Sequence, residues 1–164
     1  VHVEDVTRET LALLAPKLPQ GVVIEERLRA GAAAILGDAT QIHQVLMNLV
    51  TNAWQSMPAG GQITLEVSHA ITHPLSDLTP AAGPYAYVSV TDQGVGIPPA
   101  DLVHIFDPFF TTKDVGQGTG LGLSIAYGII QDHGGWIDVQ SYPGQGTRMT
   151  VYVPMEEQPC PDGS

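Results

Sequence analysis

Gly116-Gln117-Gly118-Thr119-Gly120-Leu121-Gly122-Leu123 runs without a break into an apolar segment, Leu121 to His133, whose pattern predicts a helix. Glycine at this density bares successive backbone N–H groups, and the start of a helix adds the positive end of its dipole. Together they form an anion site suited to α- and β-phosphates. The stretch is not a P-loop, because no Gly-Lys dipeptide occurs in the chain. Nor is it Gly-x-Gly-x-x-Gly, since Leu121 stands where the third glycine would be, counted from Gly116. A flexible linker is the plain alternative, but linkers lack an apolar helix directly behind them.

Just upstream lies Ile105-Phe106-Asp107-Pro108-Phe109-Phe110-Thr111-Thr112-Lys113, at the root of a Gly-rich stretch, residues 107–119, that reads as a mobile loop. Its phenylalanines are ordinary core, or they anchor a lid that leaves Lys113 free to reach a phosphate. Further upstream, Asp92-Gln93-Gly94-Val95-Gly96-Ile97-Pro98 follows a predicted strand, Tyr85 to Val90. An Asp at a strand end can accept a hydrogen bond from an exocyclic amine such as adenine N6. Glycines at 94 and 96 let the backbone approach a flat ring. The same residues also make a common turn.

Asp38 has the position of an N-cap, and Ile42, Val45, Leu46, Leu49, Ala53 and Met57 follow at helical spacing. Asn48, Asn52 and Gln55 share a neighbouring face. Asn costs roughly 0.5 kcal/mol relative to Ala inside a helix, so two of them call for a reason. They read as solvated amides, or as groups whose oxygens bind Mg²⁺ and whose NH₂ donates to phosphate.

The rest of the chain predicts a helix over Val3 to Leu14 stopped by Pro16, and strands over Val22 to Leu28 and Ile63 to Val67. A polar, Pro-rich loop follows from Ala70 to Pro84, then a short helix from Pro99 to Ile105. Strands from Trp136 to Gln140 and Arg148 to Val153 flank the turn Pro143-Gly144-Gln145-Gly146. Residues 1–154 read as one domain and 155–164 as a loose tail. Interleaved helices and strands with short glycine turns predict an α/β two-layer sandwich, a mixed sheet with helices on one face.

At 164 residues and 43% hydrophobic, the chain can bury a real core. Net charge is −11 with six Lys and Arg, which argues against nucleic-acid binding. A bound polyphosphate would therefore rely on Mg²⁺, backbone amides and helix N-termini. No apolar run is long enough to cross a bilayer, so no direct membrane contact and a cytoplasmic place are expected. Val1 at the first position is read as the start of a fragment, with any sensor part or membrane anchor upstream. The single Cys160 allows no disulfide within the chain. None of the six histidines looks like a phosphoacceptor; His69 and His73 are spaced like metal ligands but read as structural or solvated, and no zinc site is expected.

In order, the four segments resemble the N, G1, F and G2 boxes of the histidine-kinase catalytic domain, and Gly144-Gln145-Gly146-Thr147 matches the last glycine box. The match runs from about Asp38 to Pro154. This resemblance implies the Bergerat fold of the GHKL superfamily, with ATP held between the second helix, the glycine boxes and a lid. Asp92 would bind the adenine amine, with Thr147 nearby sharing a water; Gly94, Gly96 and Ile97 would border the base. Asn52 would ligate Mg²⁺ with Asn48 beside it. Gly118, Thr119, Gly120, Leu121 and Gly122 would line the phosphates, Phe106 would sit at the lid root, and Lys113 would reach the terminal phosphate. Asn48, Asn52 and Lys113 are thus the implied catalytic residues.

The implied reaction moves the γ-phosphoryl group to a histidine on a separate dimerisation domain, and from there to an aspartate of a response regulator receiver domain. Gln55 departs from the pattern, since many members carry Lys or Arg three residues after the metal-binding Asn. The short lid and Pro108-Phe109-Phe110-Thr111-Thr112-Lys113 resemble the nitrogen-regulation and hybrid kinases. The gyrase, MutL and Hsp90 type of ATP-hydrolysing relative places a glutamate base where this chain has Asn48, and an amide cannot take a proton from water. A nucleotide-binding module without catalysis is the third alternative; phosphohistidine on an added dimerisation domain would tell it from a kinase.

Overall fold

A computed structural model describes residues 2–18, 20–28, 34–35, 37–57, 60–72, 83–102, 104–106 and 122–155. Helix α1 spans Val3–Leu14, with one 3₁₀ turn after it where Pro16 ends the α-helical ladder. Strand β1 is Val22–Leu28 and helix α2 is Ala39–Gln55. The Asp38 side chain caps α2, accepting from Thr40 N at 2.8 Å and Gln41 N at 3.4 Å. Then come β2 (Gly61–Thr72), β3 (Gly83–Asp92), the short α3 (Pro99–Leu102), α4 (Gly122–Asp132), β4 (Trp136–Tyr142) and β5 (Gly146–Pro154).

Among the described residues the five strands form one sheet in the order β1-β2-β3-β5-β4. β1 runs parallel to β2, and the other pairs are antiparallel. Alternation sends Ile63, Leu65 and Val67 of β2, Ala86, Val88 and Val90 of β3, and Met149, Val151 and Val153 of β5 to the same face. There they join Val45, Leu46, Leu49 and Val50 of α2 and Ala126 and Ile130 of α4 in one buried core. The opposite face carries Tyr85, Tyr152 and Trp136, with ring centroids 4.8 Å apart for Tyr85–Trp136 and 4.6 Å for Trp136–Tyr152. The two-layer sandwich with a mixed sheet is therefore as expected.

Two boundaries differ from expectation. The β2–β3 ladder runs on to Thr72 opposite Gly83, so paired strand occupies both ends of the stretch read as a loop from Ala70 to Pro84. Antiparallel pairing uses backbone groups, which polar residues supply as well as apolar ones. Met155 forms an isolated bridge with Ile35, and the rest of the expected tail, residues 156–164, lies outside the described ones. The helix expected to reach Ile105 ends at Leu102 and gives way to a turn.

Helices α2 and α4 lie antiparallel, with α4 pinned near both its ends to the N-cap and the middle of α2. Asn48 Nδ2 donates to Gly122 O at 2.9 Å at the start of α4. At the far end, the Asp38 amide donates to His133 Nε2 at 3.2 Å, while His133 Nδ1 lies 2.8 Å from Ile129 O. His43 Nδ1 lies 2.8 Å from Thr10 Oγ1 and ties α1 to α2. Both histidines have structural work. Among the described residues no helix is long and apolar enough to cross a membrane.

Candidate functional site

Asp92 ends β3 with its side chain on the helix-covered side of the sheet, and only 5% of it is exposed. Its Oδ1 accepts from the Gly94 amide at 2.8 Å, with the Thr147 amide and Ser56 close to the carboxylate, although the Ser56 hydroxyl donates to Ala53 O at 2.7 Å. Burial pushes its carboxyl above the ordinary 3.8, and the neighbouring polar groups, the Gly94 amide first, offset that only in part. Among the described residues it has no ion pair. Thr147, 6% exposed, is its register partner across the β3–β5 ladder, so the two side chains stand beside each other.

The loop after Asp92 is stitched to two elements. Val95 N donates to Ser56 O at 3.1 Å at the end of α2, and Gly144 N donates to Val95 O at 2.8 Å from the β4–β5 turn. Gly94 must be glycine because a Cβ there would overlap Ser56, and Gly96, at φ 75°, faces Tyr142 O and Pro143 in the same way. Both glycines are thus demanded by protein contacts, whatever ring lies near them. Ile97 N donates to Ser141 Oγ at 2.7 Å, which holds the far end of the loop against β4.

Ser56, Asn52 and Asn48 follow one another at four-residue steps, on one face of α2 and the first residue past its end, and so span about 12 Å along the axis. One end of this row meets Asp92 and the other meets the first residue of α4. Both polar ends of Asn48 are engaged: Nδ2 with Gly122 O, and Oδ1 with Gln44 Nε2 at 3.1 Å. Asn52 is half-buried and Gln55 exposed. Phe106 is half-buried and stacks on Tyr127 of α4 with centroids 4.9 Å apart. Among the described residues no three His, Cys, Asp or Glu side chains are grouped to hold a metal.

The structure brings together Asp92, Gly94, Gly96, Ile97 and Thr147, and it places Asn48, Asn52 and Gly122 along α2 and the start of α4. Lys113, Gly118, Thr119, Gly120 and Leu121 lie outside the described residues. Sequence reasoning missed Ser56 and Ser141. A lone serine carries no signal in a sequence; only the fold puts Ser56 on Asp92 and Ser141 between Ile97 and Thr147, whose Oγ1 lies 2.8 Å from Ser141 Oγ.

Residues 37–157 match the family described as histidine kinase-, DNA gyrase B- and HSP90-like ATPase. The chain is 44% identical over 134 residues to sensor kinase CckA of Brucella abortus, an alignment covering 78% of this chain and 14% of that protein. It is 37% identical over 161 residues to the sensory histidine kinase/phosphatase NtrB of Salmonella typhimurium, covering 94% and 43%. The chain thus spans less than half the length of these two curated relatives. Among solved structures, the catalytic domain of histidine kinase ThkA superposes with a TM-score of 0.72 at 31% identity, covering 93% of this chain and 94% of that one. Fold, glycine boxes and relatives agree: the chain belongs to the histidine kinase-, DNA gyrase B- and HSP90-like ATPase family, as the ATP-binding catalytic domain of a sensor histidine kinase.

Proposed function

We propose that this domain holds Mg-ATP with the adenine at Asp92 and the phosphates toward the start of α4, and passes the γ-phosphoryl group to a histidine on a separate dimerisation domain. A receiver domain of a response regulator then takes the group, in the cytoplasm. The observation that carries this reading is Asp92: a buried carboxylate without a cationic partner among the described residues, beside Thr147, at one end of a helix face bearing Asn52 and Asn48.

Asp92 in its charged form accepts the N6 amine, a charge-assisted bond in a place water reaches poorly. Asn48 holds the first turn of α4 against α2 through Gly122 O, which keeps the amides at the helix start in position for phosphate. Asn52, between the two ends, offers an amide oxygen to Mg²⁺. That ion keeps most of its shell from water and phosphate and needs only one or two protein ligands, which fits a site without a carboxylate cluster. Bound Mg²⁺ would neutralise phosphate charge in a chain of net charge −11. Position 48 holds an amide in place of a carboxylate base, which favours transfer to a histidine over attack by water. Lys113 and the glycines 118 and 120 are assigned to the phosphates on the resemblance of their motifs.

Calorimetry on the chain should show Mg-ATP binding; absence of heat at millimolar nucleotide would overturn the reading. Asn52→Ala should remove the difference between titrations with Mg²⁺ and with EDTA. A variant that keeps the wild-type difference would move the metal elsewhere.

A further inference from the structure

The geometry points to Ser141 as a positioning residue that sets the direction of the Thr147 hydroxyl and thereby the preference for adenine. This rests on the nucleotide reading above and adds a residue that no motif marks. Ser141 Oγ accepts from Ile97 N at 2.7 Å, so that N–H takes up one of its lone pairs. Its own hydrogen has two outlets: Thr147 Oγ1 at 2.8 Å and Gly146 O at 3.2 Å. Either oxygen can donate across the 2.8 Å pair; the Ser141 hydrogen is assigned to this shorter contact, leaving the longer one to Gly146 O unmade.

Thr147, having accepted from Ser141, turns its own hydrogen away from it, toward the space it shares with Asp92. The chain Ile97 N–H, Ser141 O–H, Thr147 O–H then ends in a donor, beside a charged Asp92 that can only accept. A donor beside an acceptor complements adenine, whose N1 accepts and whose N6 amine donates, directly or through one water. Guanine shows the reverse pair, an N1–H donor and an O6 acceptor. Were Ser141 to donate to Gly146 O instead, Thr147 would spend its hydrogen on Ser141 and the site would offer two acceptors.

The test compares ATP with 1-deaza-ATP, which lacks only the N1 acceptor, on the full 164-residue chain by calorimetry. Wild type should bind ATP about three- to tenfold tighter than 1-deaza-ATP, the scale of one neutral hydrogen bond. Ser141→Ala should lower that ratio, because Thr147 loses the donor that orients it and its hydrogen can turn to Asp92. Ser141→Thr, which keeps the hydroxyl, should preserve it. A merely structural role would weaken both nucleotides together and leave the ratio unchanged. Should Ser141→Ala fail to fold, Ser141→Cys replaces it, since a thiol is a weak donor of nearly the same shape. An unchanged ratio in the variant, or equal binding of the two nucleotides by wild type, overturns the assignment of Ser141 alone. A wild type that binds neither overturns the nucleotide reading itself.

Discussion

Replacing Asp92 by Asn keeps an acceptor oxygen for the Gly94 amide but removes a charge that burial opposes. Unliganded Asp92→Asn should melt no lower than wild type, while its ATP affinity drops by about 1.5–3 kcal/mol, the scale of a charged hydrogen bond. Thermal melts and calorimetry on the same samples check both halves. The pH dependence has a definite sign. Because the folded value is raised above 3.8, Asp92 favours the fold most at acid pH, and that contribution is lost as pH rises through the folded value. Adenine recognition needs the charged form and runs the other way. ATP affinity should therefore fall as pH is lowered from neutral through that raised value, and the gap between wild type and Asp92→Asn should close. An affinity gap that stays constant down the acid range would show that the charge is not what the base reads.

Among the elements, α4 carries a glycine with no evident duty. Gly128 is exposed, and a Cβ there meets nothing within 4 Å. Gly128→Ala should raise stability by up to about 1 kcal/mol, read as a higher Tm, with nucleotide affinity unchanged. Elements with strong periodicity are legible in the sequence: the Asp38 cap, the apolar face of α2 and the alternation of β3 and β5 all stand where the pattern puts them. The last residues of β2 and the first two of β3 are not, because their pairing is a backbone matter and the stretch from Ala70 to Pro84 is polar and proline-rich as a whole. Glycine boxes are legible as motifs for a related reason. Gly94 and Gly96 are required by close backbone approach, which leaves a mark in composition, whereas Ser56 and Ser141 act through distances that only folding creates.

For the whole molecule, the core and the Asp92 side chain share one side of the sheet, and the chain covers less than half of the two relatives named above. Alone, it should bind Mg-ATP without becoming phosphorylated, since His43 and His133 are tied into helix contacts. Mixed with the histidine-bearing dimerisation domain that the proposed function calls for, it should yield acid-labile, base-stable phosphate on that partner. Binding without any such product would reduce the domain to a nucleotide sensor. The bracing of α2 has one more consequence. Held to α4 at Asn48 and to the loop after Asp92 at Ser56, the last two turns of the helix set a fixed spacing of about 12 Å along the row from Ser56 to Asn48. On the proposed reading, a nucleotide hung from the Asp92 end would be measured against it: a monophosphate would stop partway, and losing the last phosphate would shorten the ligand by the rung that held it at the α4 end.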